Sequence, residues 1–100
     1  MNDYLLLMHS DAPARTTSEP PLEWEPYLAN LRQSGNFSGG SSIGDGVCIR
    51  KGGSAREITV HLSGFIRVRA ESIDAAKKLV FGNPVFEAGG TVEIRELPRT

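Results

Sequence analysis

Cysteine is nearly missing from this sequence of 100 residues, in which Cys48 is the only one. A lone thiol excludes an intrachain disulfide, and with two distant histidines it does not supply the ligands of a structural zinc site. Cys48 lies in the apolar stretch GVCIRKG, which is typical of a strand. We therefore expect a small buried hydrophobic side chain at this position rather than a catalytic thiolate.

Charge of one sign is not concentrated anywhere in the chain. The sequence has 11 Lys and Arg against 12 Asp and Glu, with a formal net charge of -1. It has no basic stripe for phosphates and no polybasic cluster for anionic lipid. We therefore expect neither nucleic acid nor a membrane surface as a partner.

Long hydrophobic runs are also missing. The apolar run near the start spans only Tyr4–Met8, and Asp3 stands where a secretion signal has positive charge. This run is too short for a signal peptide or a transmembrane span. We expect a cytoplasmic protein whose residues 1–100 form one domain.

The sequence does contain a clear succession of strand and helix patterns. Tyr4–Met8 is apolar at every position, as in a central strand buried on both faces. A loop rich in Ser, Thr and Pro follows over residues 10–21. Residues 23–34 place apolar side chains at helical spacing, and a second helix pattern runs from Ser72, a natural N-cap, to Gly82.

Further strand patterns complete the order. Short pieces lie near Ile43 and over Val47–Arg50, and the clearest alternation of the chain runs from Ile58 to Arg69. The final strand covers Thr91–Arg95. This order predicts an α+β protein with a ferredoxin-like βαββαβ sandwich, in which two helices cover one face of an antiparallel sheet.

The first strand is apolar on both of its faces, with Leu5 and Leu7 on one and Tyr4, Leu6 and Met8 on the other. We expect the face with Tyr4, Leu6 and Met8 to form an exposed patch on a monomer, which a homodimer would bury. Charged side chains of the neighbouring strands would line a pocket or a wet rim there. These residues are Arg67, Arg69, Glu93 and Arg95.

Three segments resemble the YCII-related family of the dimeric α/β-barrel superfamily. They read YLLLMHSDA, LSGFIRVRAESIDAAKKLV and NPVFEAGGTVEIREL. The resemblance implies a dimeric ferredoxin-like domain with a short helical hook over Pro84–Ala88, followed by a turn at Gly89-Gly90. It also implies a His and Asp pair in a small-molecule site, for which His9 and Asp11 are the nearest candidates by type. The Asp-Gly-Pro-Phe loop of many members is replaced here by KGGSAREITVHLSGF, so no role of that loop transfers.

Five polar residues are candidates for chemistry. His9 ends the first strand, and with Asp11 to orient it the imidazole would act as a general base; the alternative is a histidine that caps the loop. His61 faces solvent or the dimer cavity. Glu87 is either a carboxylate of the site or a hydrogen-bond acceptor for the glycine turn. Arg67 with its neighbours would bind a carboxylate-bearing ligand; the alternative is that these arginines pair with Glu93 and Glu96 or stay solvated.

Two functional classes follow from these residues. In the first, the homodimer is a cofactor-independent enzyme or binder for a small polar or acidic metabolite, with proton transfer by His9 and either Asp11 or Glu87. In the second, it is a noncatalytic interaction module. An enclosed pocket containing His9 favours the first class, and a filled dimer core with both histidines exposed favours the second. A haem or quinone monooxygenase, which the superfamily also includes, is a third alternative.

Overall fold

The computed structural model describes residues 1–13 and 23–99. Its elements in chain order are β1 (Asn2–His9), α1 (Trp24–Ser34), β2 (Phe37–Ser42), β3 (Leu62–Ala70), α2 (Ile73–Lys78), α3 (Pro84–Glu87) and β4 (Val92–Leu97). Most of the loop predicted over residues 10–21 lies outside the described residues. Within them, no helix combines the length and apolar character that a bilayer span needs.

The four strands form one antiparallel sheet in the order β2-β3-β1-β4. β1 is central, as its uniformly apolar sequence predicts, and pairs with β3 on one side and β4 on the other. The described residues thus form an α+β structure compatible with a ferredoxin-like fold. The predicted order of elements is confirmed, with α3 as the short hook after the second helix.

The two longer helices begin where their sequence signals predict. α1 buries Tyr27 and Leu31 and ends at Gly35, whose left-handed backbone (φ 80) closes the last turn. At the start of α2, the Ser72 side chain accepts a hydrogen bond of 3.1 Å from the Ala75 N–H. α2 itself ends at Lys78, earlier than the predicted stop at Gly82, because turns replace the helix over residues 79–82.

The helices cover the sheet face that carries Tyr4, Leu6 and Met8. These side chains are at most 3% exposed and lie in the hydrophobic core. The prediction that they form the uncovered patch is therefore wrong. Residues opposite each other in an antiparallel pair share a face, and Leu6 lies opposite Ile66. The apolar alternation of β3 thus joins that of β1 beneath the helices.

The uncovered side of the sheet, called the open face below, combines apolar and charged residues. Leu5 and Leu7 are half-buried there, and Phe65 lies opposite Leu7. Leu5 lies opposite Arg67 on β3, and β4 contributes Arg95 opposite Leu5 and Glu93 opposite Leu7. The apolar residues on the uncovered side are therefore Leu5 and Leu7 of β1 with charged neighbours, and not the predicted Tyr4, Leu6 and Met8.

Residues 43–61, which connect β2 to β3, form no strand or helix. The strand pieces predicted over Val47–Arg50 and from Ile58 are absent, and β3 begins at Leu62. Cys48 is exposed, so the prediction of a buried thiol is also wrong. A strand side chain becomes buried only when its strand has a pairing partner and a packed face. Within the described residues this segment has neither.

The hook and its glycines are held by backbone constraints. The fully buried Asn83 caps α3, because its side-chain oxygen accepts hydrogen bonds from the N–H groups of Val85 (2.9 Å) and Phe86 (3.2 Å). Gly89 has a left-handed backbone with φ 93. At Gly90, a Cβ atom would lie 2.7 Å from Val85 Cγ1 and 3.0 Å from the Val85 carbonyl oxygen. The predicted glycine turn is confirmed, and Gly90 permits close packing of the hook.

Replacing Gly90 by Ala tests this packing. We expect Gly90→Ala to lower the free energy of unfolding by about 1–3 kcal/mol, because the added methyl group overlaps backbone that cannot easily move. Gly52→Ala is the matched control, since its Cβ meets nothing within 4 Å; we expect a change within about 0.5 kcal/mol. Urea unfolding measures both values, and equal stability of the two variants contradicts the packing account.

Candidate functional site

His9 and Glu93 form a side-chain pair on the open face. His9 Nε2 lies 2.9 Å from Glu93 Oε1, and the two side chains are 18% and 34% exposed. His9 is the last residue of β1, and Glu93 lies opposite Leu7 on the adjacent strand. Since alternate residues share a face, the register places His9 diagonally next to Glu93.

Arg95 supports the same carboxylate from the other side. It follows Glu93 by two residues on the same strand face, and Arg95 Nη1 donates to Glu93 Oε2 over 3.1 Å. The hydrogen bond with His9 and then the one from Arg95 lower the pKa of the Glu93 carboxyl below its ordinary value. Glu93 is therefore ionised at neutral pH, with a partner on each oxygen.

His61 is the second histidine of the site. Its ring lies edge-on to that of His9, with 4.9 Å between centroids and 64° between planes. The His61 carbonyl accepts a hydrogen bond of 2.6 Å from the Ser10 N–H, so the chain entering β3 is attached to the end of β1. The structure thus brings together the two histidines that the sequence analysis selected separately.

The hydrogen bond to Glu93 defines which nitrogen of His9 can accept a proton. An ionised carboxylate only accepts hydrogen bonds, so in the neutral ring the proton resides on Nε2 and the lone pair on Nδ1. Nδ1 is then the basic atom. The carboxylate of Glu93 thus sets the tautomer and the orientation of the ring.

Asp11 has other partners than the His9 ring. Its carboxylate oxygens accept hydrogen bonds from the Thr91 N–H (2.8 Å) and the Thr91 hydroxyl (2.6 Å). These two bonds lower the pKa of the Asp11 carboxyl. Thr91 also accepts a bond of 2.9 Å from the His9 N–H through its carbonyl. Asp11 therefore positions the backbone beside His9, while Glu93 contacts its ring.

The two remaining candidates lie away from the His9–Glu93 pair. Glu87 Oε2 accepts a hydrogen bond of 3.1 Å from the Gly82 N–H. Glu87 therefore acts as a hydrogen-bond acceptor for a backbone turn, which was one of its two predicted roles. Arg67 lies on the open face, with its side chain 51% exposed and Nη2 4.0 Å from Asp3 Oδ2. So loose a contact leaves the guanidinium accessible to an anion on this face.

Two cavities of the described residues lie on the helix-covered side of the sheet. One, of about 450 Å³, is lined by Met8, Trp24 and Phe37 among others. The other, of about 390 Å³, lies between α1 and the end of α2. His9 lines neither of these two cavities, and the side chains of the His9–Glu93 pair are partly exposed on the open face. Among residues 1–13 and 23–99, no cluster of His, Cys, Asp and Glu is suited to hold a metal ion.

Glu93 is the residue that the sequence analysis did not select for chemistry. It was placed only among the charged residues of the open face, together with Arg95. Its alternation with Val92 and Ile94 shows that it leaves the core. However, the pairing with a histidine 84 positions away depends on the β1–β4 register, which a single sequence does not contain.

Removing the imidazole tests the electrostatics of the pair. We expect His9→Asn to raise the pKa of Glu93, because the largest stabilising hydrogen bond to its carboxylate is lost. Carbon-13 NMR titration of the side-chain carboxyl measures the change. His61→Asn is the control, since that ring contacts His9 without binding Glu93. An equal shift in both variants contradicts the pairing.

The lowered pKa of Asp11 predicts that the stability of the folded chain depends on pH. Its pKa in the folded chain lies below the ordinary value of 3.8, so its stabilising contribution is present above that value and is lost as pH falls through the folded pKa. Asp11→Asn therefore destabilises the fold at neutral pH, and the difference from wild type shrinks towards about pH 2. Urea unfolding across this range measures it, with Asp45→Asn in the exposed connection as control. A constant difference contradicts the assignment.

Comparison with known proteins gives this chain no family. No protein-family model matches it, and no curated protein shows significant similarity to it. The resemblance to the YCII-related family therefore stays a prediction based on three sequence segments. The function has to be argued from the residues of the open face.

Proposed function

We propose that the chain is a YCII-like protein that works as a homodimer and transfers protons on a small polar or acidic metabolite, with His9 as the base and no cofactor. The observation that carries this proposal is the 2.9 Å contact between His9 Nε2 and Glu93 Oε1. A histidine oriented by a carboxylate is a common arrangement for general acid–base catalysis. Glu93 takes the role that the sequence analysis gave to Asp11.

The open face that carries the pair also carries cations that support an anionic ligand. Arg67 and Arg69 lie on the open face with side chains about half exposed, and each approaches Asp3 only at 3.8–4.0 Å. A substrate carboxylate would compete well for such cations, because guanidinium groups bind carboxylates through two parallel hydrogen bonds. The proposal therefore assigns Arg67 to substrate binding and His61 to the neighbouring wall.

The simplest reaction for these groups is an isomerisation of a carbonyl acid. His9 Nδ1 removes a proton from the carbon next to the carbonyl, and the electron pair of the C–H bond delocalises onto the substrate as an enolate. The imidazolium then returns the proton to another carbon or to oxygen. Atoms and electrons balance without a redox partner, so the step needs only the bound acid and the His9–Glu93 pair.

A second copy supplies the enclosure that such chemistry requires. In one chain the pair lies on a surface, and exclusion of water strengthens the electrostatic interactions of a site. The leucine pair Leu5 and Leu7 offers an apolar centre for association within a polar surround. The proposal includes a homodimer that buries the open face of each copy, and a cytoplasmic location.

The alternative is a noncatalytic dimeric module. It is favoured by one specific observation, namely that neither described cavity is lined by His9. In this reading the His9–Glu93–Arg95 contacts order the end of β1 for association with a partner. The two readings differ in whether the wild-type protein exchanges substrate protons.

Solvent exchange at carbon separates them. We expect the wild-type protein to catalyse deuterium incorporation from D2O into members of a panel of 2-oxo and 3-oxo acids, followed by proton NMR. Loss of the base in His9→Asn reduces the rate by about 100-fold to 10,000-fold, and Glu93→Gln gives an intermediate rate. Glu96→Gln, an exposed carboxylate on the same strand but the opposite face, is the matched control and keeps the wild-type rate.

Two results count against the catalytic proposal. Equal exchange by wild type and His9→Asn removes His9 from the chemistry. No exchange with any acid, by a protein that is dimeric and folded, favours the interaction module.

A further inference from the structure

Residues 43–61, between β2 and β3, are called the arm below. Its sequence has the pattern of two strands, with Val47 and Ile49 in the first half and Ile58 and Val60 in the second. Such β-branched residues at alternating positions are typical of strands. The ladder between β2 and β3 nevertheless ends with the bond of 3.0 Å from the Ile43 N–H to the Ser63 carbonyl.

Three aliphatic side chains of the arm are directed into solvent. Val47 is 86% exposed, Ile49 93% and Val60 77%. Contiguous exposed apolar groups mark interaction sites, and Val47 and Ile49 are neighbours at alternate positions of one extended stretch.

The backbone of the arm makes few hydrogen bonds to the described residues. Between residues 44 and 60, the hydrogen bond within the described part of the chain is a local one, in which Gly46 N–H donates to Asp45 Oδ1 over 2.8 Å. An extended segment with unused N–H and C=O groups can add to a sheet or lie along a sheet face through its alternate side chains. The arm thus has both properties of a docking segment.

The same molecule carries a matching unoccupied surface. The open face presents Leu5, Leu7 and Phe65, all only half-buried, in the middle of the sheet. In one copy the arm does not cover this face, because its apolar residues remain exposed. When a chain carries both a docking segment and a surface that receives it, two identical chains can each place their segment on the surface of the other. This reciprocal contact gives a closed two-fold dimer.

We propose that the arm of each copy docks on the open face of the other, with Val47, Ile49 and Val60 packed near Leu5, Leu7 and Phe65. This inference rests on the homodimer of the proposed function and specifies how it forms. The docked arm covers the end of the sheet where His9 and Glu93 lie. The site is therefore incomplete in a single chain, and the second copy provides its cover.

Two disabled variants test the exchange. Val47→Lys/Ile49→Lys places charges in the arm, where the side chains have no contacts to lose within one chain. Leu5→Glu disables the face and is compatible with folding, because Arg67 and Arg95 lie directly opposite position 5 on the two neighbouring strands. Lys51→Gln is the control in the arm. Circular dichroism verifies that each variant folds.

Sedimentation velocity over a concentration series gives the expected results. The wild type and Lys51→Gln dimerise, and each disabled variant alone has a dissociation constant raised by at least about tenfold. An equal mixture of the two disabled variants associates more tightly than either, because the heterodimer keeps one intact arm on one intact face. Such complementation is specific to arm-on-face exchange.

Other outcomes overturn the proposal in distinguishable ways. If the arm variant dimerises like wild type and Leu5→Glu does not, the faces associate without the arms, and the homodimer of the proposed function stands. If Leu5→Glu dimerises like wild type, the arms do not use the face. A wild type that is monomeric at every concentration removes both the arm exchange and the homodimer, while the deuterium-exchange experiment still tests the chemistry of His9.

Discussion

The pairing of β1 with a strand on each side determines which side chains can meet on the sheet. Its register with β3 places Leu6 opposite Ile66 beneath the helices. Its register with β4 places Leu7 opposite Glu93 on the open face. Both the core and the His9–Glu93 pair depend on these two ladders, and a shift of one residue in either would move the side chains to the other face.

The sequence predicts those parts of the fold whose signals are local. The apolar spacing around Tyr27 and the capping hydroxyl of Ser72 identify the two longer helices, and Asn83-Pro84 shows where the second helix cannot continue. The uniform apolarity of β1 predicts its central place. The same uniformity does not predict which face the helices cover, because the odd and the even positions of β1 are both apolar. The covered face is determined by the alternation of the neighbouring strands.

The candidate acidic residues show a second limit of prediction from the sequence. Asp11 follows β1 and Glu87 ends α3, and both carboxylates accept hydrogen bonds from backbone N–H groups outside the strands, those of Thr91 and Gly82. Glu93 lies in a strand whose backbone is engaged with β1, so its carboxylate pairs with side chains instead. An acid next to a turn is therefore a poorer candidate for chemistry than a strand acid beside a histidine. Recognising the latter requires the sheet register.

The two residues of the His9–Glu93 pair lie on strands that differ in their resistance to local opening. His9 belongs to the central strand, whereas Glu93 belongs to β4, which is an edge of the sheet in a single chain. Edge elements open locally at a lower free energy than the global unfolding of a domain. Transient detachment of β4 would separate the carboxylate from the imidazole while β1, β3 and the helices remain packed. Fraying at this edge thus removes the carboxylate partner of His9 without unfolding the core.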